Sequence, residues 1–260
     1  MLTIKAICRN FLIFSISSST SSHADVVVSH KTDNSINLSI EGEIRPSDYA
    51  LLIGKSNKTK HLIVRLNSAG GNLETATKIG RYLRKKNASA FVYNGATCAS
   101  ACVFVLMGAP VRFVESNAKI LIHRFYEPND TEVNSAIQKQ KYKKVEKFVG
   151  DYLNEMNIPI SLLDEMVSVS STNYKTLTSD ELAKFRLNKY DPYYEETMQS
   201  IEAKKYGISK QEYHFRFSRL DICNSDFNEA KRLNEIEGVP FDEAYSSVNK
   251  CREDVLNGLR

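Results

Sequence analysis

Three short stretches of this chain hold residue types that can do chemistry together. Ser100 lies in N-G-A-T-C-A-S-A-C-V-F-V-L-M-G-A, residues 94–109. His123 closes I-L-I-H, and Gly70 and Gly71 close L-N-S-A-G-G. A serine hydroxyl becomes a nucleophile when an imidazole takes its proton. The oxyanion that then forms on a carbonyl needs main-chain N–H donors aimed at it. Paired glycines after a buried strand let such donors face a ligand where a Cβ would obstruct. A helix starting at Ser100 adds the positive end of its dipole. The chemistry these parts admit is acyl transfer.

Taken singly, each part has an ordinary structural reading. A G-G pair marks many strand–helix turns. A serine between Ala99 and Ala101 at a helix entrance is the preferred N-cap. A histidine at a strand end is more often structural, and it serves as a general base only if it reaches the hydroxyl. Of the five histidines, His23 is near the N-terminus, His30 and His61 are at strand edges, and His214 is in the tail, which leaves His123 as the candidate.

The elements that must position these residues follow from hydrophobic period and punctuation. Residues 26–28 and 36–40 read as strands, and Ser47 reads as the cap of a helix over 48–53. H-L-I-V-R-L at 61–66 is a short apolar strand of the buried parallel type, with 67–71 as the turn after it. Leu73, Ala76, Ile79 and Leu83 recur at helical steps, so 72–86 is a helix. Residues 88–93 form the next strand, 99–108 an apolar helix, and 111–114 and 119–122 two more strands. Strand–helix alternation of this kind predicts an α/β domain with a largely parallel sheet. Further helices are expected over 131–156, with Val145, Phe148, Val149 and Leu153 inward, and over 161–167. Another lies within 177–187, with a T-S-D-E cap at Thr178. After Asp191-Pro192 the chain turns charged, aromatic and strand-poor. The predicted division is therefore a signal peptide (1–24), a hydrolase domain (25–190) and a helical C-terminal segment (191–260).

The first 24 residues place Lys5 and Arg9 before a short apolar run, then a small-residue stretch ending Ser22-His23-Ala24, the order of a secretory signal. Its removal would take two cations from a net charge of +4 and leave +2, too little to argue for a nucleic-acid partner. The lysines of 139–147 read as the solvated face of a helix. No later segment has the ~18 apolar residues of a membrane span. Beyond Cys8, the cysteines are Cys98, Cys102, Cys223 and Cys251, an even set that suits export and a secreted or periplasmic address. Cys223 with Cys251 is the expected disulfide, contributing about 3 kcal/mol in the chain-entropy model. Cys98 and Cys102 either bond to each other or serve as small packing residues, because a regular helix does not offer relaxed disulfide geometry at that spacing.

In combination, S-x-G-G after a strand, a small-Ser-small helix entrance and I-H ending a later strand resemble the Clp protease proteolytic subunit. More broadly they resemble the Clp/crotonase superfamily, over residues 36–187. The resemblance implies a ββα superhelix with a helical appendage. It implies Ser100 as nucleophile and His123 as base. Gly71 and Ala101 are the implied oxyanion donors, and Gly70 shapes that oxyanion hole. The C-x-S-x-C setting is most similar to exported members of the group. Where the family has its acid, this chain has S-T-N-Y-K at 171–175, so Asn173 is the matching residue and Asp164 and Asp180 are substitutes. Signal peptide peptidases of the superfamily use a lysine base, and no lysine here matches it. The leading expectation is a serine hydrolase, a peptidase acting on peptides or unfolded segments, with no cofactor and no metal. The alternative is a catalytically silent scaffold that binds a peptide or partner in the same groove. Acyl-CoA chemistry is the third reading, and export argues against it. Relatives form rings or trimers, so the resemblance is compatible with a homo-oligomer.

Overall fold

In the computed structural model an antiparallel hairpin, β1 (Asp25–Lys31) and β2 (Ser35–Ile44), opens the fold. The structure describes residues 25–124, 136–170 and 172–260. The expected signal segment 1–24, positions 131–135 of the expected long helix, and Ser171 lie outside the described residues. After the hairpin come α1 (Asp48–Ser56), β3 (His61–Gly71), α2 (Leu73–Lys85), β4 (Ser89–Val92), β5 (Thr97–Ala99), α3 (Ala101–Gly108), β6 (Val111–Val114) and β7 (Lys119–Ile122). Then follow α4 (Ala136–Glu155), α5 (Ser161–Ser168), β8 (Lys175–Thr176), α6 (Ser179–Lys184) and β9 (Lys189–Tyr190). The C-terminal segment is helical: α7 (Pro192–Lys205), α8 (Lys210–Phe217), a 3-10 turn (Leu220–Cys223), α9 (Asn224–Glu235), α10 (Phe241–Ala244) and α11 (Ser246–Leu256).

β3 is the pivot, and it is longer than its apolar run predicts. It continues through Gly71 instead of turning at Asn67, because β2 runs parallel beside it from Ser35↔His61 to Ile44↔Gly71 and keeps it extended. Its inner face alternates Leu62, Val64, Leu66, Ser68 and Gly70, the period of a pleated strand. The first half of β3 pairs with β4, which leads to β6 and then to antiparallel β9. The far end pairs at Ser68↔Cys98 with β5, which leads to β7 and then to antiparallel β8. Besides its ladder with β2, β3 thus joins two further ladders, and the one through β5 carries the site.

α3 is buried on all sides (A-C-V-F-V-L-M-G), the mark of a helix inside the core. It begins at Ala101, two residues later than predicted, because residues 97–99 are a strand with no signature of its own. Ser47 makes no side-chain cap. The buried Asp48 carboxylate instead accepts the Arg45 N–H at 2.8 Å. The T-S-D-E signal does form a capping box, Thr178 with Glu181. Val149 and Leu153 of α4 are buried as predicted, with Val145 and Phe148 packed against the core.

At Asp191, where the sequence predicts a break, the chain is anchored by ionic contacts. Asp191 is fully buried, caps α7 through the N–H groups of Tyr193 and Tyr194, and accepts from Arg84 at 3.1 Å. The equally buried Arg112 donates to the carbonyls of Arg186 (2.5 Å) and Met107 (2.7 Å) and lies 3.8 Å from Asp191. Burial first, then repulsion from Arg84, holds its guanidinium down to about 10, still charged at neutral pH.

Candidate active site

Ser100 stands at the elbow between β5 and α3 with φ 53° and ψ −122°. A positive φ is uncommon for an L residue with a side chain and persists only where surroundings impose it. The N–H of Ser100 donates to the Leu121 carbonyl at 3.0 Å, and its carbonyl accepts from Val103 N–H at 3.0 Å. Its side chain makes no cap hydrogen bond, so the simple N-cap role does not hold. The hydroxyl instead lies 2.7 Å from His123 Nε2. Parallel pairing of β5 with β7 (Cys98↔Ile120, Ala99↔Leu121) brings together two residues 23 apart in sequence.

The imidazole is half-buried, and burial holds its pKa below the ordinary value of 6.5, against a smaller raising effect from the Arg124 backbone. The ring is thus neutral at neutral pH, and a neutral ring with its proton on Nδ1 accepts from a hydroxyl at Nε2. Tyr174 packs edge-on to it, ring centroids 4.8 Å apart.

The glycines make the elbow sterically feasible. Gly70 has φ 106°, and a Cβ there would meet Ser100 Cβ at 2.7 Å and the Ala99 carbonyl oxygen at 2.8 Å. Gly71 has φ 132°, and a Cβ there would meet the Ile44 carbonyl oxygen at 2.4 Å. Ser68 Oγ donates to the Gly42 carbonyl at 2.5 Å and accepts the Gly70 N–H at 3.1 Å. The Gly70 amide is therefore already engaged, and this residue's part is to admit the serine closely. Ala101 is the first residue of α3, and its N–H is among those a helix leaves without an intrahelical acceptor.

A cleft of about 470 Å³ opens on these groups, with Gly70, Gly71, Ser100, Ala101 and His123 on its wall. Leu73, Phe104, Ile122, Met166 and Tyr174 supply an apolar side, and Glu43 is the carboxylate on its lining. Sequence reasoning missed this apolar wall, which comes from four separate elements and, at Tyr174, the segment before β8, with no shared motif.

Asn173 is exposed, and its N–H donates to the Ser170 carbonyl at 3.1 Å. From this stretch the next residue, Tyr174, packs against the imidazole. Asp164 is exposed and lines a different cleft with Arg124 and Val167, and Asp180 is exposed in the first turn of α6. Lys175, close along the chain, is held by Glu165 at 2.5 Å and Glu181 at 2.6 Å. The expected pair Cys223 with Cys251 is bonded, and of the two readings left open for Cys98 and Cys102 the structure has the bond, across the strand–helix elbow and not within a helix.

Residues 46–211, well over half the chain, match the Clp protease family. The chain belongs to the Clp protease family. Among solved structures it is similar to a mutant of the 1510-N membrane-bound stomatin-specific protease, at 17% identity over 61% of this chain and 79% of that one, TM-score 0.46. A second mutant of that protease, in complex with a substrate peptide, gives 17% over 61% and 74%, TM-score 0.45. A ClpP1 mutant from Listeria monocytogenes gives 15% over 58% and 88%, TM-score 0.46. These likenesses are distant, and the family rests on the sequence match. No curated protein matches the chain. Clp proteases act on peptide or protein substrates and are often oligomeric. Among the described residues of this Clp protease family member, no helix is long and apolar enough to cross a membrane.

Proposed function

We propose that this protein is an exported serine peptidase with Ser100 as nucleophile and His123 as general base. The observation that carries the reading is the 2.7 Å contact between the serine hydroxyl and imidazole Nε2. In the reaction, Nε2 takes the hydroxyl proton as Oγ attacks the peptide carbonyl. The N–H groups of Gly71 and Ala101 receive the oxyanion, with Gly70 shaping the hole. Nε2 then passes its proton to the leaving amine, and water resolves the acyl-enzyme by the same path. Export is supported by the order of the first 24 residues and by the two bonded cysteine pairs.

By the family resemblance Asn173 matches the third position, although it is exposed and the ring's neighbour from this stretch is Tyr174. The Asn173 amide oxygen can orient the ring but cannot offset imidazolium charge, so turnover is slow compared with an Asp-completed triad; in a serine protease that exchange costs about 10⁴-fold. Asn173→Ala, assayed for a fall in kcat at constant KM, tests that place. For the whole reading, a fluorophosphonate probe is applied to the wild type and to Ser100→Ala. Labelling of the wild type, mapped to Ser100 and lost in the variant, is the expected result. Labelling that persists in the variant removes Ser100 from the role. The missing carboxylate favours one second reading, a silent scaffold that binds peptide in the same cleft. It would show peptide binding with no labelling at any pH.

A further inference from the structure

A disulfide encircles Ser100. Cys98 is the middle residue of β5 and Cys102 stands in the first turn of α3, so the bridge closes over Ala99, Ser100 and Ala101, with Cα atoms 5.2 Å apart. We propose that the Cys98–Cys102 bridge is a positioning brace for the nucleophile. It holds the elbow in the backbone conformation that aims Ser100 Oγ at His123 Nε2. The inference rests on the assignment of Ser100 as nucleophile.

Both anchors of the brace are fixed. Cys98 is held on two sides, by Ser68 of β3 and by Ile120 of β7, and is fully buried. Cys102 belongs to a helix with every residue buried. Between these anchors lies a residue at φ 53°. Glycine would relieve that φ, but glycine has no side chain to act as nucleophile. The strain must therefore be held by neighbours. Two backbone hydrogen bonds, to Leu121 and from Val103, hold Ser100 from one side each. The bridge ties the strand end directly to the helix start and takes away the freedom of the three residues between. A ring this short restrains the unfolded chain least, so loop-closure entropy is a poor account of why it sits here. Its position across the reacting residue is the better account.

The test compares Cys98→Ala/Cys102→Ala with Cys223→Ala/Cys251→Ala, both in the full chain. The first double variant should lower the fluorophosphonate labelling rate constant and kcat by about 10- to 100-fold, the effect of a misplacement near 1 Å, while KM stays constant. The second should leave all three unchanged. Wild-type protein supplies a measurement that does not depend on the variant folding. It is partly reduced with dithiothreitol, which gives two electrons and two protons to each bridge and becomes the cyclic disulfide. Free thiols are alkylated, the probe is added, and labelled and unlabelled molecules are compared by mass spectrometry. Labelled molecules should retain the Cys98–Cys102 bridge, and unlabelled ones should carry alkyl groups on both cysteines. Equal rates in the two double variants, or the same proportion of alkylated Cys98 and Cys102 in labelled and unlabelled fractions, overturns the brace. Untreated wild type that takes no label at Ser100 overturns the nucleophile assignment itself, and the brace with it, in a sample separate from the variants.

Discussion

The two disulfides of this chain close rings of very different size in very different surroundings. Cys98–Cys102 spans 4 positions and lies in a core that runs from Val26 to Leu187. Cys223–Cys251 spans 28 positions and sits with Val255 in a small cluster, beside another formed by Ala203, Tyr213 and Leu256. In the chain-entropy model the longer ring contributes ~1.5 kcal/mol more. That ring is in the segment with little apolar surface to bury, where a covalent staple supplies what a small core lacks. The shorter ring is in the best-packed part of the molecule, where stability is least in need of it. The contrast teaches that a bridge is to be read from what it surrounds, a sparse helical tail in one case and a strained serine in the other.

Four variants and one titration sharpen or break this contrast. The largest effect belongs to Ser100→Ala: peptide hydrolysis should fall by at least about 10⁴-fold, with the melting temperature nearly unchanged. Steady-state hydrolysis and a thermal melt check this, and surviving activity would leave the elbow with no special role. Next come two glycines of positive φ. Gly70→Ala puts a methyl 2.7 Å from Ser100 Cβ, so activity should drop about 100-fold along with ~1–3 kcal/mol of stability. Gly238→Ala in the tail meets nothing within 4 Å and should cost only ~1 kcal/mol, from its φ, with activity intact. Matched denaturant melts and rate measurements separate the two, and equal activity losses would erase the regional difference.

Removing the tail bridge by Cys223→Ala/Cys251→Ala should destabilise the C-terminal segment by about 2–4 kcal/mol, seen as earlier loss of amide protection over residues 192–260. The smallest effect is in pH. A histidine base works only when neutral, and burial lowers the pKa of His123, so the acid limb of the labelling rate should lie below 6.5. A pH profile of labelling with its acid limb at or above 6.5 would show that burial does not govern the ring.

Much of the fold was legible because its signals are local. The periodic residues of α2, the Thr178–Glu181 capping box and the apolar runs of β3, β6 and β7 each carry their own period or cap. What was misread depends on pairing with distant chain. Gly70 and Gly71 signal a turn to their neighbours, yet β2 holds them extended. Residues 97–99 are too few to announce a strand, and they become one through Ser68 on one side and Ile120 on the other. Cys98 and Cys102 looked badly spaced only while both were counted on one helix. Arg112 and Asp191 are ordinary charges in sequence, 79 positions apart, and a buried joint in the fold.

By itself, the sequence determined which residue types were on hand: Ser100 among small neighbours, His123 at a strand end, the pair Gly70 and Gly71, and an even set of later cysteines. It also determined the alternation of strands and helices that makes an α/β sheet. Only the tertiary structure decided that Ser100 Oγ and His123 Nε2 stand 2.7 Å apart, because that distance is fixed by the register of β5 on β7. Register is a property of two strands together and is encoded in neither alone.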